Sequence, residues 1–170
     1  LPADENGFIT FASFNKPSKM NGAVLDVWSE IMRTVPDARL ILKFKTYLDS
    51  PQIGQKLLGR FRQNGISPER IPLLSAEDRF HDHLARYHQA DIGLDTFPFS
   101  GATTTFQALW MGVPVISLAG ETFISRAAGS LLHQVGLGDL TVNTPKAYVD
   151  CARDLAGNLE QLRTPRAHLR

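Results

Sequence analysis

The chain has 170 residues, 43% of them hydrophobic, and 18 Lys and Arg against 17 Asp and Glu leave a formal charge of +1. That length and apolar content suit one domain with a sizeable core and exclude a disordered chain. The balanced charge gives no sign of a nucleic-acid or membrane surface, and no stretch approaches the roughly 20 apolar residues of a spanning helix.

In chain order, Phe8 to Ala12 is a short apolar run bounded by Gly7 and Asn15, and it predicts a buried strand. Ala23 to Val35 sets Val24, Val27, Trp28, Ile31 and Met32 at helical spacing, and Pro36 ends the pattern. Ala38 to Phe44 predicts a second strand. Pro51 opens a helix whose Ile53, Leu57, Leu58 and Phe61 make one apolar face up to Gly65. Ile71 to Leu74 predicts a third strand, and Arg79 to His88 a helix with Phe80, Leu84 and Tyr87 on one face. Asp91 to Leu94 is a fourth strand. After a loop with Gly101 and three threonines, an apolar helix runs from Phe106 to Met111 and stops at Gly112. Pro114 to Leu118 predicts a fifth strand, Glu121 to Val135 a helix, and Leu140 to Val142 a small sixth strand. Two helices, from Pro145 and from about Asn158, close the chain. Strands alternating with helices predict βαβ units with right-handed crossovers. The fold class is therefore α/β: a Rossmann-like three-layer domain over residues 1–170 on a mainly parallel sheet of about six strands.

The single cysteine, Cys151, excludes an internal disulfide and a cysteine-only metal site. Its neighbours Val149, Ala152 and Leu155 predict a buried helical thiol. Leu1 stands in place of a methionine and no signal peptide is visible, so the chain reads as a piece of a longer, cytoplasmic protein. An early GxGxxG or GxxxxGK[ST] is lacking, so neither dinucleotide binding nor a P-loop is supported.

Four segments carry chemistry. Ser100-Gly101-Ala102 with Thr103, Thr104 and Thr105 precedes a helix and follows a strand. Free N–H groups and a positive dipole end make such a turn an anion site, with phosphate the usual anion. Three consecutive threonines exceed what a cap needs, and their hydroxyls and N–H groups could all face one phosphate, although an ordinary capped helix start also fits. Phe14 to Lys19 follows the first strand, and its Lys16 and Lys19 suit a diphosphate, or else are two solvated lysines. His81, His83 and His88 have the wrong spacing for a shared helical face, so no metal is expected, and a histidine stacking on a nucleotide ring fits better. Gly120-Glu121-Thr122-Phe123, with Arg126 a turn later, follows the fifth strand, where Glu121 serves either sugar hydroxyls or the dipole of a helix start.

Taken together, the order Asn15-x-x-x-Lys19, Ala90-Asp91-(x)3-Asp95-Thr96, Gly101-x-Thr103-Thr104, Leu109-Trp110-x-Gly112-x-Pro114 and Gly120-Glu121-Thr122-x-x-x-Arg126 resembles the C-terminal half of O-linked N-acetylglucosamine transferases and their Spindly-type relatives. The resemblance covers nearly the whole chain, most densely over Ala90 to Gly129. It implies the second half of a GT-B glycosyltransferase, which holds a UDP-sugar donor. It also implies a protein acceptor reached through the other half, and tetratricopeptide repeats upstream. By the same resemblance, Lys19 contacts the diphosphate, Lys16 faces it, His83 lies by the nucleotide, and Thr103 and Thr104 cradle phosphate beside Gly101. The chain departs from the family at Ala102, where histidine is frequent, and at Gln107, where an acidic residue holds the ribose. It departs again at Lys16, where glutamine is common, and at Phe80, where a lysine is often found. The expected cofactor is none: the donor is a substrate, and lysine with a helix dipole replaces a metal. A degenerate binding or scaffold module is the alternative, with Ala102 and Gln107 marking lost catalysis, and a sugar-nucleotide epimerase of similar build is a third.

Overall fold

The structure is a computed structural model that describes residues 1–43, 50–75 and 77–169. Six strands pair in parallel: β1 (Thr10–Ser13), β2 (Arg39–Lys43), β3 (Leu73–Leu74), β4 (Ile92–Leu94), β5 (Val115–Leu118) and β6 (Thr141–Val142). Their order in the sheet is β3-β2-β1-β4-β5-β6. The chain therefore winds outward one way from β1 and the other way from β4, and the order reverses between these two. In open α/β sheets that reversal, at the carboxyl ends of the strands, is where ligands bind.

The helices are α1 (Pro2–Asn6), α2 (Gly22–Thr34), α3 (Pro51–Gln63), α4 (Phe80–Ala85), α5 (Thr103–Trp110), α6 (Ala127–Gln134), α7 (Pro145–Ala156) and α8 (Leu159–His168). α2 packs on α3 and α7, and α5 on α6. With right-handed crossovers this covers both faces of the sheet. Strands covered on both faces are apolar throughout rather than alternating, as Leu40, Ile41 and Leu42 illustrate. Trp28, Ile31 and Met32 of α2 and Tyr148 and Ala152 of α7 are fully buried against them. Each large apolar side chain so buried contributes roughly 1.5–3 kcal/mol.

Several sequence expectations change at their edges. The first strand starts at Thr10 rather than Phe8 and runs one residue past Ala12. The second begins at Arg39, and its expected end, Phe44, lies outside the described residues. The helix expected over Arg79 to His88 is α4 followed by a 3-10 turn, Arg86–Gln89. Tyr87 is buried as expected, but Phe80 is 65% exposed and leaves the core face. The helix expected from Glu121 is a 3-10 turn over Phe123–Ser125 and then α6. Ser125 breaks it, because its hydroxyl donates to the Thr122 carbonyl and also accepts from the Thr122 N–H. Cys151 is half-buried on α7, and burial pushes its thiol up to about 11. α1 had no expectation; it is held by Asp91, whose carboxylate accepts from the Ala3 and Thr10 N–H groups at 3.1 and 2.9 Å. Among the described residues no helix is long and apolar enough to cross a membrane.

Candidate functional site between β1 and β4

Two loops leave the sheet at the reversal point. After β1 the chain passes Phe14, Asn15 and Lys16 into a 3-10 turn, Pro17–Lys19, before Asn21 caps α2 by accepting from the Val24 N–H at 3.1 Å. After β4 it runs from Asp95 to Ala102 and into α5. Hydrogen bonds join the loops, one of them from Asn15 Nδ2 to Asp95 Oδ1 at 3.4 Å. Lys19 Nζ donates to the Ser100 carbonyl at 2.9 Å, Asn21 Nδ2 donates to the Phe97 carbonyl at 2.8 Å, and Thr104 Oγ1 donates to Asn15 Oδ1 at 2.9 Å.

Asp95, fully buried at the end of β4, organises the second loop. It accepts from the Gly101 N–H at 2.6 Å, the Thr96 N–H at 2.9 Å and the Ser117 hydroxyl at 2.7 Å. Burial pushes its carboxyl up to about 6, although these hydrogen bonds and the Lys19 charge act downward. Gly101 permits the arrangement because a Cβ there would stand 2.7 Å from Thr105 Oγ1, 2.8 Å from Thr104 Oγ1 and 3.0 Å from Asp95 Oδ1.

α5 begins at Thr103, not Phe106, and its N-cap is Ala102, which offers no capping side chain. None of the three threonines therefore takes the N-cap position. The first-turn N–H groups of Thr103 and Thr104 lack intrahelical acceptors and gather the positive end of the dipole. The three threonines do not all face one place, however. Thr105 is buried, Thr104 is half-buried and bonded to Asn15, and Thr103 is exposed.

Lys19 is half-buried, with its ammonium 4.0 Å from the centroid of the Phe99 ring. Burial pushes its pKa down, and Asp95 acts the other way. Lys16 is exposed, three residues earlier. A third loop, after β5, is tied to the second: the Ser100 hydroxyl donates to the Ile124 carbonyl at 2.7 Å and accepts from the Ala128 N–H at 3.3 Å. Arg126 Nε donates to the Gly120 carbonyl at 2.7 Å, and Glu121 is exposed.

A second cluster lies alongside, between α4 and α5. His83 Nε2 meets Gln107 Oε1 at 3.1 Å, and His83 Nδ1 meets Lys43 Nζ at 3.0 Å. Phe14, Phe80 and Tyr87 ring His83 at centroid distances of 6.0, 6.1 and 5.9 Å, and the Tyr87 hydroxyl donates to the Thr104 carbonyl at 3.2 Å. Lys43 is only 2% exposed, and burial pushes its pKa down while Glu77 acts upward.

The structure thus draws Lys19, Gly101, Thr103 and Thr104 to one edge, with His83 and Gln107 beside them and Ala102 and Lys16 exposed at the rim. His81, by contrast, is exposed and pairs with Asp82, and among the described residues no group of three His, Cys, Asp or Glu is placed to hold a metal. The roles of Asp95, Asn15 and Lys43 were not apparent from spacing. Lys43 did leave a signal, a lysine inside the apolar run Leu40-Ile41-Leu42-Lys43.

The family model for glycosyl transferase family 41 matches residues 1–170. A probable UDP-N-acetylglucosamine–peptide N-acetylglucosaminyltransferase SPINDLY from Oryza sativa subsp. japonica is 43% identical over 99% of this chain, which spans 18% of that protein. The UDP-N-acetylglucosamine–peptide N-acetylglucosaminyltransferase of Caenorhabditis elegans is 31% identical over 98% of the chain and 14% of its own length. A mutant Thermobaculum terrenum O-GlcNAc transferase superposes with a TM-score of 0.92 at 42% identity, over 96% of this chain and 31% of that one. The Rossmann-like sheet is accordingly the fold of one part of a GT-B glycosyltransferase, and the chain spans less than a third of each of these three proteins. The chain belongs to glycosyltransferase family 41.

Proposed function

We propose that this chain is the donor-binding part of an enzyme that moves N-acetylglucosamine from a UDP-sugar to a protein hydroxyl. One observation carries the reading. Lys19 is anchored to the carbonyl of Ser100, directly before the turn that opens α5, so its ammonium and the Thr103 and Thr104 N–H groups share one edge of the reversal point. In the transfer, the acceptor oxygen bonds to the anomeric carbon and loses its proton, while the bond from that carbon to the diphosphate breaks. The electron pair leaves with UDP, so negative charge grows on the diphosphate. Lys19 and the helix N-terminus meet that charge without a metal. Lys16 adds a flexible charge at the rim, while His83 and Gln107 flank the nucleoside. The acceptor is held through another part of the full protein, upstream repeats included, and the cytoplasm is the compartment where such acceptors are met.

The names of the relatives support UDP-N-acetylglucosamine as donor and peptide as acceptor. Ala102 and Gln107 keep a second reading in play, a binding module that holds UDP without turnover, because neither side chain supplies an acid or base at the α5 turn. Calorimetry with UDP on the full-length protein, paired with a radiolabelled sugar-transfer assay, separates the two. Binding with transfer is expected. Binding without transfer to any peptide favours the module, and no UDP binding overturns the donor reading and favours a scaffold.

A further inference from the structure

We infer that Lys43 is a positioning residue for nucleoside recognition, acting through His83 on Gln107; the inference rests on the donor-binding reading above. Lys43 ends β2 and is 2% exposed, a placement that lysine almost never adopts unless it has a specific partner. Its hydrogen-bond partner among the described residues is a ring nitrogen, His83 Nδ1 at 3.0 Å, rather than a carboxylate. An ammonium only donates, so Nδ1 supplies its lone pair and the ring proton sits on Nε2. That N–H then donates to Gln107 Oε1 at 3.1 Å.

The consequence falls on the polarity of residue 107. With one lone pair of its oxygen engaged by His83, the Gln107 amide is held in one orientation, and its NH2 group with two N–H donors is the end left for a ligand. The α4–α5 edge therefore reads an acceptor, an oxygen lone pair of a nucleobase carbonyl or of the ribose. A carboxylate at 107 would offer the opposite polarity. If Lys43 were absent, His83 could carry its proton on Nδ1, and Gln107 would be free to turn. Lys43 touches no ligand in this scheme; it fixes a tautomer, and the tautomer fixes an amide.

The test compares UDP with inorganic pyrophosphate by calorimetry on the full-length protein. Pyrophosphate reports the Lys19 and α5 edge and also checks that each variant is folded. Lys43→Met should weaken UDP about tenfold, the worth of one well-placed hydrogen bond, and leave pyrophosphate unchanged. Lys43→Arg should restore UDP binding because it returns an N–H donor to Nδ1. In a Gln107→Ala background Lys43→Met should have no further effect, since a residue acting through another is silent once that other is gone. Lys43→Gln, which donates without a charge, serves if Lys43→Met does not fold, and it should bind UDP as the parent does. Equal losses for UDP and pyrophosphate, or additive losses with Gln107→Ala, overturn the assignment and leave the donor reading standing. A parent protein that binds no UDP overturns the donor reading and the assignment with it.

Discussion

Between β1 and β4 the candidate site is built largely from backbone, whereas between α4 and α5 it is built from side chains. At the first place the fold supplies the Ser100 carbonyl, which anchors Lys19, the Gly101 N–H, which the buried Asp95 carboxylate holds, and the open first turn of α5. At the second it supplies three side chains in a row, Lys43, His83 and Gln107, on a strand end, a six-residue helix and the second turn of α5. Backbone donors are fixed once the fold is fixed and bind any phosphate. A side-chain chain is re-tuned by single substitutions and reads one ligand against another. The difference predicts two classes of variant: those at the β1–β4 edge weaken UDP and pyrophosphate together, and those at the α4–α5 edge weaken UDP alone.

The largest effect should come from Lys19. Removing a charge that meets developing charge in the transition state costs about a hundredfold to a thousandfold in rate. Lys19→Ala should show that loss in the transfer assay, whereas Lys16→Ala, at an exposed rim position, should cost much less. Equal, small effects would make both surface lysines and remove the phosphate edge from the comparison.

Asp95 comes next. Its carboxyl is raised from 3.8 to about 6, so the folded chain binds that proton more tightly than the unfolded one. The stability it contributes is full below pH 3.8 and is lost as the pH rises through about 6. The rise corresponds to about 3 kcal/mol. Asp95→Asn keeps an acceptor for the Gly101 and Thr96 N–H groups and removes the titration. In urea unfolding the parent should therefore gain on Asp95→Asn by up to about 3 kcal/mol as the pH falls across that window. Parallel stability curves would mean that burial does not strain this carboxylate.

The two regions also differ in what the sequence made visible. The β1–β4 edge was legible because Gly101, the threonines and Lys19 lie at strand-to-helix junctions, and junctions are set by local pattern. The α4–α5 edge was half legible. His83 stood out in the histidine cluster and Gln107 only through the family resemblance, and the contact of His83 with Lys43 spans 40 residues, which no local period encodes. The start of α5 was misplaced because threonine is a good cap and Ala102 is not, yet the Asp95–Gly101 bond orders the turn instead of a cap. Phe80 looked like a core residue by spacing, but α4 is too short and too shallow to bury it.

Gly101→Ala should be the next largest disturbance. The added methyl would press on three oxygens, one of them the fully buried Asp95 Oδ1, so the turn must shift. Overpacking of this kind costs about 1–3 kcal/mol. Because the shift moves the α5 N-terminus, UDP and pyrophosphate affinities should fall in parallel. A fall in UDP affinity alone would show that Gly101 belongs with the nucleoside end.

The smallest effect should come from Thr104→Val, which separates the hydroxyl from the N–H. Valine keeps the shape and the backbone donor but loses the bond to Asn15 Oδ1 at 2.9 Å, leaving that buried oxygen without its partner. The expected cost to stability is about 1–2 kcal/mol. Thr104→Ser, which keeps the hydroxyl, should recover most of it. If the phosphate site is the N–H edge, both variants should still bind pyrophosphate within about a factor of three once folded, which is less than one hydrogen bond is worth. If pyrophosphate binding collapses in Thr104→Val and returns in Thr104→Ser, the hydroxyl itself is a ligand group. In that case the β1–β4 edge is built partly from side chains, and the contrast with the α4–α5 edge narrows to a difference of degree.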